Sequence, residues 1–139
     1  FRLIFGSRDP GEAYNFVRSS GCESMVLTNG GADVEYFGPG IRRSFPSPSI
    51  RPVSTVGAGD AFNAGMAWAV AGAATSAQRL SDPVEAIDAG MRFAADACLT
   101  LENCITEELG RVLTEERSGE SANPGHNPVR LQSNLKLPK

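Results

Sequence analysis

Gly57-Ala58-Gly59-Asp60 divides this chain into two kinds of sequence. Before it, Pro46, Pro48 and Pro52 hold the backbone extended and Val53-Ser54-Thr55-Val56 is rich in β-branched residues. After it, Ala61, Ala64, Gly65, Ala67, Ala69 and Ala71 recur with so little side-chain volume that a helix built from them packs tightly against a sheet. A strand over Ile50 to Val53, a glycine-rich loop and a long helix from Asp60 to Ala74 are therefore expected.

That junction can carry chemistry. The first N–H groups of a helix have no partner within it, and the helix dipole favours an anion there. Glycine lets a phosphate approach those N–H groups, so the amides of Ala58, Gly59 and Asp60 are expected to surround the oxygens of a transferring phosphoryl group. Asp60 would stand beside this anion hole, suited to take the proton of an attacking hydroxyl. The plainer alternative is that Asp60 only complements the dipole of the first turn, worth about 0.3–1 kcal/mol.

Punctuation elsewhere points to an α/β layered sheet. Arg2 to Phe5 reads as a short strand. Asp9-Pro10-Gly11-Glu12 starts a helix with an N-cap acid, a proline at the first position and a glutamate that completes a capping box; Gly21 ends it. Ser24 to Thr28 has the composition of a buried strand, and Val34 to Phe37 and Ile41 to Phe45 flank Gly38-Pro39-Gly40 as a hairpin at the edge of the sheet. Asp82-Pro83-Val84-Glu85 opens another helix, with Val84, Ile87, Met91, Ala94, Cys98 and Leu101 forming the stripe expected to face a core. A last helix is expected over Thr106 to Arg117, followed from Ser118 to Lys139 by a mobile tail rich in Gly, Pro, Asn and Ser.

Composition removes several function classes. The net charge of −3 comes from interleaved acids and bases, with no basic stripe to follow a nucleic-acid backbone. No run approaches the about 18 apolar residues of a membrane-spanning helix, so a cytoplasmic protein is expected. His126 is the only histidine, which excludes histidine triads and multi-histidine metal sites, and no metal ligand is assigned. Cys22, Cys98 and Cys104 lack metal-type spacing and read as reduced thiols. The chain opens on Phe1 with no initiator methionine, which suggests a fragment of a longer protein.

The string Ser54-Thr55-Val56-Gly57-Ala58-Gly59-Asp60-Ala61-Phe62 resembles the second signature of the PfkB/ribokinase family of carbohydrate kinases, Asp-Thr-x-Gly-Ala-Gly-Asp-x-Phe, at every fixed position except Ser54. Val26-Leu27-Thr28-Asn29-Gly30 is similar to the family's nucleotide-side Thr-x-Gly segment, and Arg92-Phe93-Ala94-Ala95 to its later helix beside the adenine. The resemblance spans Phe1 to Arg117. It implies the C-terminal portion of a ribokinase-like three-layer α/β/α sandwich that transfers the γ-phosphate of ATP, with Mg²⁺, to an alcohol of a sugar or nucleoside. By the same resemblance Gly57, Ala58 and Gly59 form the anion hole, Asp60 is the catalytic base, and Thr28 and Gly30 line the nucleotide site.

Three positions depart from the family pattern. Ser54 replaces an acid tied in many members to a monovalent-cation site, which counts against potassium activation. Asp33 replaces the second glycine of Thr-x-Gly-x-x-Gly, and Ala95 stands where asparagine is common. The family's sugar-binding Gly-Gly motif, lid strands and Asn-x-x-x-Glu magnesium motif would precede Phe1. Substrate choice therefore lies upstream, as do the strands through which dimerising members pair, so a homodimer of the full-length protein stays open. The isolated chain is not expected to turn over. The competing readings are a catalytically silent nucleotide-binding module and a nucleoside kinase of the same family.

Overall fold

The computed structural model describes residue 6, residues 9–75 and residues 83–120. The expected strand over Arg2 to Phe5 and the expected tail beyond 120 lie outside the described residues. The chain divides into two compact units, Phe1–Ile105 and Thr106–Lys139.

Helix α1 (Pro10–Ser19) begins as its sequence directs. Asp9 has extended dihedrals and its carboxylate accepts the Gly11 N–H at 2.8 Å, while proline fills the first helical position, where no N–H is needed. Gly21, at φ +94°, turns the chain away, and its N–H and that of Cys22 close onto the carbonyls of Arg18 and Val17.

Three short strands follow, β1 (Met25–Leu27), β2 (Val34–Gly38) and β3 (Ile41–Phe45), paired antiparallel in the order β1-β2-β3. The expected β2–β3 hairpin is present, with Gly38 opposite Ile41 and Val34 opposite Phe45. Alternation along β2 gives the sheet two covered faces. Phe37 stacks on Tyr14 of α1 with ring centroids 5.6 Å apart, and the Arg42 guanidinium lies 5.0 Å from the Phe37 centroid on the same side. Val34 and Tyr36 point the other way, into a cluster with Val26 and Phe45 from the sheet and Phe62 and Ile87 from two later helices. The sheet thus lies between α1 and those helices, the helix-sheet-helix layering expected from the sequence.

The two later helices are α2 (Ala58–Thr75) and α3 (Val84–Ala97). Pro83 precedes α3 with φ −64° and its carbonyl accepts the Ile87 N–H at 3.0 Å; Asp82, the expected cap, lies outside the described residues. Ile87 is fully buried, worth about 1.5–3 kcal/mol of apolar transfer. The helix of the second unit, α4 (Glu107–Glu120), runs past the expected end at Arg117. Thr106 starts it, its hydroxyl accepting the Leu109 N–H at 3.2 Å.

Three expectations are corrected. Ile50 to Val53 is not a strand: residues 46–55 are irregular, and instead of a ladder the N–H groups of Val53 and Ser54 converge on one carbonyl, that of Cys98. Three prolines in this stretch remove the donors a ladder would use. The small residues of α2 do not line a single sheet-facing side. Ala61 and Gly65 are buried, but Ala64, Ala67 and Ala71 are exposed, and the closest approach is to α3 rather than to the sheet. Of the expected α3 stripe, Ile87 and Cys98 are buried and Met91 and Ala94 pack against the sheet cluster, but the buried face also takes in the small residues Ala86, Ala89, Gly90 and Ala97 together with Phe93, and Leu101 is 75% exposed. Both shifts have one cause: the two helices meet through their smallest residues, which leaves Met66 and Met91 to reach the sheet cluster from the flank of the contact.

Candidate functional site

The segment 53–60 joins the irregular stretch to α2, and its geometry is set by the segment that follows α3. Val53 N–H donates to the Cys98 carbonyl at 2.8 Å and Ser54 N–H to the same oxygen at 3.2 Å. Ser54 Oγ donates to Asn103 Oδ1 at 3.1 Å and accepts the Val56 N–H at 3.2 Å, folding the loop back on itself. Gly57 then takes φ +79°, a conformation that costs an L-residue about 1–2 kcal/mol, and its carbonyl accepts the Ala61 N–H at 2.9 Å to begin the α2 ladder.

Of the amides expected to bind an anion, Ala58 donates to the Thr55 carbonyl at 3.3 Å. Among the described residues, the N–H groups of Gly57, Gly59 and Asp60 meet no acceptor. They sit at the positive end of an 18-residue helix, and a Cβ on Gly59 would find nothing within 4 Å. Asp60 lies in the first turn of α2 with its carboxylate exposed. The arrangement offers unengaged donors, an open approach and a solvated carboxylate within one turn of helix.

Thr28 and Gly30 lie in the turn between β1 and β2, both exposed, with Gly30 at φ +56°. The turn closes on itself through the Ala32 N–H and the Asn29 carbonyl at 3.0 Å, and among the described residues its side-chain hydrogen bonds run to the end of β3 and the residues just after it: Ser44 Oγ donates to Asp33 Oδ2 at 3.0 Å, and Ser47 Oγ donates to the Ala32 carbonyl. Asp33, where the resemblance anticipated glycine, is therefore an acceptor that pins the turn. Phe93 is buried against Trp68, ring centroids 6.1 Å apart, so it supports the α2–α3 contact.

Sequence reasoning missed Asn103. It is the one non-glycine residue at positive φ among the described residues, at +56°, and it contacts the loop at both Ser54 and Gly57. Asparagine tolerates this conformation better than most residues, but a lone Asn in a loop carries no periodicity that would mark it. Among the described residues no group of three His, Cys, Asp or Glu side chains gathers to hold a metal, and no helix is long and apolar enough to cross a membrane. An all-protein cage for a metal ion is therefore absent among the described residues, though Mg²⁺ on a nucleotide needs only one or two carboxylates beside the phosphates.

Comparison with known proteins adds an independent line. A family model described as pfkB family carbohydrate kinase matches residues 3–105. No curated protein matches the sequence. Among solved structures, the chain is similar to aminoimidazole riboside kinase from Salmonella enterica complexed with aminoimidazole riboside and an ATP analog, with 22% identity, a TM-score of 0.64, and 81% of this chain and 38% of that one covered. It is similar to ribokinase from Thermotoga maritima at 21% identity and a TM-score of 0.63, covering 82% of this chain and 37% of that one. It is also similar to fructokinase from Vibrio cholerae O395 in fructose, ADP and calcium ion bound form, at 19% identity and a TM-score of 0.59, covering 79% of this chain and 37% of that one. The chain thus spans under two fifths of the length of each of these structures.

Proposed function

The chain belongs to the pfkB family of carbohydrate kinases and carries a portion of the ribokinase-like α/β/α fold, and from that premise we propose that its residues 54–60 are the phosphate-binding and proton-accepting part of an ATP-dependent kinase. The acceptor is an alcohol of a sugar or a nucleoside, the two substrate classes named for the similar structures. The observation that carries this reading is the set of unengaged amides at Gly57, Gly59 and Asp60, with the exposed Asp60 carboxylate in the same turn.

In this reading ATP supplies the γ-phosphoryl group. The amides of Gly57 and Gly59 meet its oxygens as charge builds on them, where fixed donors need no reorganisation. Ala58 joins them when its 3.3 Å bond to Thr55 opens. Asp60 accepts the proton of the attacking hydroxyl as the new O–P bond forms and the bond to ADP breaks. Thr28 and Gly30, in the exposed β1–β2 turn, would border the nucleotide. No step is assigned to Mg²⁺ in this chain. Ser54 spends its hydroxyl on Asn103 and Val56, and a monovalent-cation role for it is not proposed.

The test is ATP-dependent ADP release by the full-length parent across a panel of sugars and nucleosides, beside folded Asp60→Asn. Turnover on one acceptor that collapses in the variant supports the reading. No turnover with any acceptor despite ATP binding supports a silent nucleotide-binding module, and unchanged turnover in the variant removes the role of Asp60.

A further inference from the structure

We infer that Asn103 is a positioning residue for the phosphate-binding loop, holding the amides of Gly57, Gly59 and Asp60 in place through its contacts with Ser54 and Gly57. The inference rests on the reading of this loop given above and extends it to a residue that no motif marks.

Asn103 contacts the four-residue segment 54–57 at both its ends. At one end its Oδ1 accepts the Ser54 hydroxyl at 3.1 Å, and that same hydroxyl oxygen accepts the Val56 N–H at 3.2 Å, so the side chain sets the rotamer that folds the loop. At the other end its Cβ and its backbone oxygen each lie 3.2 Å from the point where a Gly57 Cβ would stand. Gly57 at φ +79° is the last residue before α2, so a shift there moves the first turn of the helix and the three amides with it. The Cys98 carbonyl, accepting Val53 and Ser54, ties down only the entry to the loop. Between that anchor and the α2 ladder, Asn103 supplies the only side chain from outside the loop that hydrogen-bonds to residues 54–57 among the described residues.

Side-chain chemistry makes the choice of asparagine specific. The position needs a residue that accepts φ +56°, which glycine, Asn and Asp do most readily, and also an acceptor for Ser54. Aspartate would meet both needs but bring a negative charge to the rim of a site built for an anion. Glycine would meet only the first, which makes Asn103→Gly the informative variant: the backbone keeps its conformation and the hydrogen bond is lost.

The experiment uses the 139-residue chain, as Asn103→Gly, Ser54→Ala and the double variant. Amide hydrogen exchange without ligand reads the positioning itself. Asn103→Gly and Ser54→Ala should each speed exchange at Val56 by about threefold to tenfold, as expected for loss of one modest hydrogen bond, and the double variant should be no faster than either. The ATP dissociation constant, followed by calorimetry and by the amide resonances of Gly59 and Asp60, should rise by a similar factor in each variant while the melting temperature stays within a few degrees. Unchanged exchange at Val56 in Asn103→Gly, or effects of the two single variants that add, would overturn the inference. If the unsubstituted chain shows no ATP-dependent shift at Gly59 and Asp60, the underlying kinase reading fails separately, and the exchange result still decides whether Asn103 positions the loop.

Discussion

Gly65 of α2 lies against Gly90 of α3: a Cβ added to Gly65 would stand 2.9 Å from the Gly90 Cα and 2.5 Å from the Ala89 carbonyl oxygen. Gly90 in turn leaves a Cβ no room beside Phe62, whose ring and carbonyl oxygen would lie 2.9–3.0 Å from it. Because the obstacle to Gly65 is backbone, no rotamer change relieves it. Gly65→Ala should therefore destabilise the first unit by about 1–3 kcal/mol despite the better helix propensity of alanine, whereas Gly110→Ala in α4, where a Cβ meets nothing within 4 Å, should stabilise its helix by about 0.5–1 kcal/mol. Chemical denaturation of both variants checks the contrast, and equal effects would show that helix propensity outweighs the contact.

Gly59 separates binding from stability. A Cβ there meets nothing within 4 Å and the residue is helical, so Gly59→Ala should leave the melting temperature unchanged or raised. That Cβ would occupy the approach to the unengaged amides, so ATP binding should weaken by tenfold or more, measured by calorimetry. A variant that binds ATP as well as the parent would place the phosphate elsewhere.

Gly57→Ala should fail differently. Its φ of +79° and the 3.2 Å approach of Asn103 both oppose a side chain, so stability and ATP affinity should fall together, the former by about 1–2 kcal/mol. Thermal melting and calorimetry on the same sample distinguish this outcome from that of Gly59→Ala.

Asp60→Asn removes an exposed negative charge from the first turn of α2 while keeping nearly the same shape. In the proposed kinase reaction, loss of a proton acceptor should lower turnover by about 10²–10⁴-fold. ATP affinity should hold or improve, since a like charge has left the neighbourhood of the phosphates. Steady-state kinetics with a direct ATP-binding measurement checks both, and a loss confined to ATP affinity would recast Asp60 as a binding residue.

At the other end of the first unit, Asp9→Ala removes the acceptor for the Gly11 N–H and should cost about 1 kcal/mol. Amide exchange should rise in the first turn of α1 and much less around Tyr14, whose ring is held by Phe37 and whose hydroxyl donates to the Glu23 carbonyl at 3.1 Å.

What the sequence determined by itself is local. The Asp9-Pro10 start of α1, the stop at Gly21, the Pro39-Gly40 hairpin and the start of α2 at Gly57-Ala58-Gly59-Asp60 each depend on residues within a few positions of one another, and each stands where the residues point. Tertiary structure decided the rest. The direction in which α2 and α3 bury their faces follows from the Gly65–Gly90 approach, because two backbones without side chains between them come closer than any apolar stripe allows. The prolines around residues 50–53 already remove ladder donors, but whether an extended segment finds a ladder at all depends on its neighbours, and here the neighbour is the end of α3. Asn103 escaped notice for the same reason: it meets Ser54 across 49 residues of sequence, and only the folded chain brings its amide to the loop.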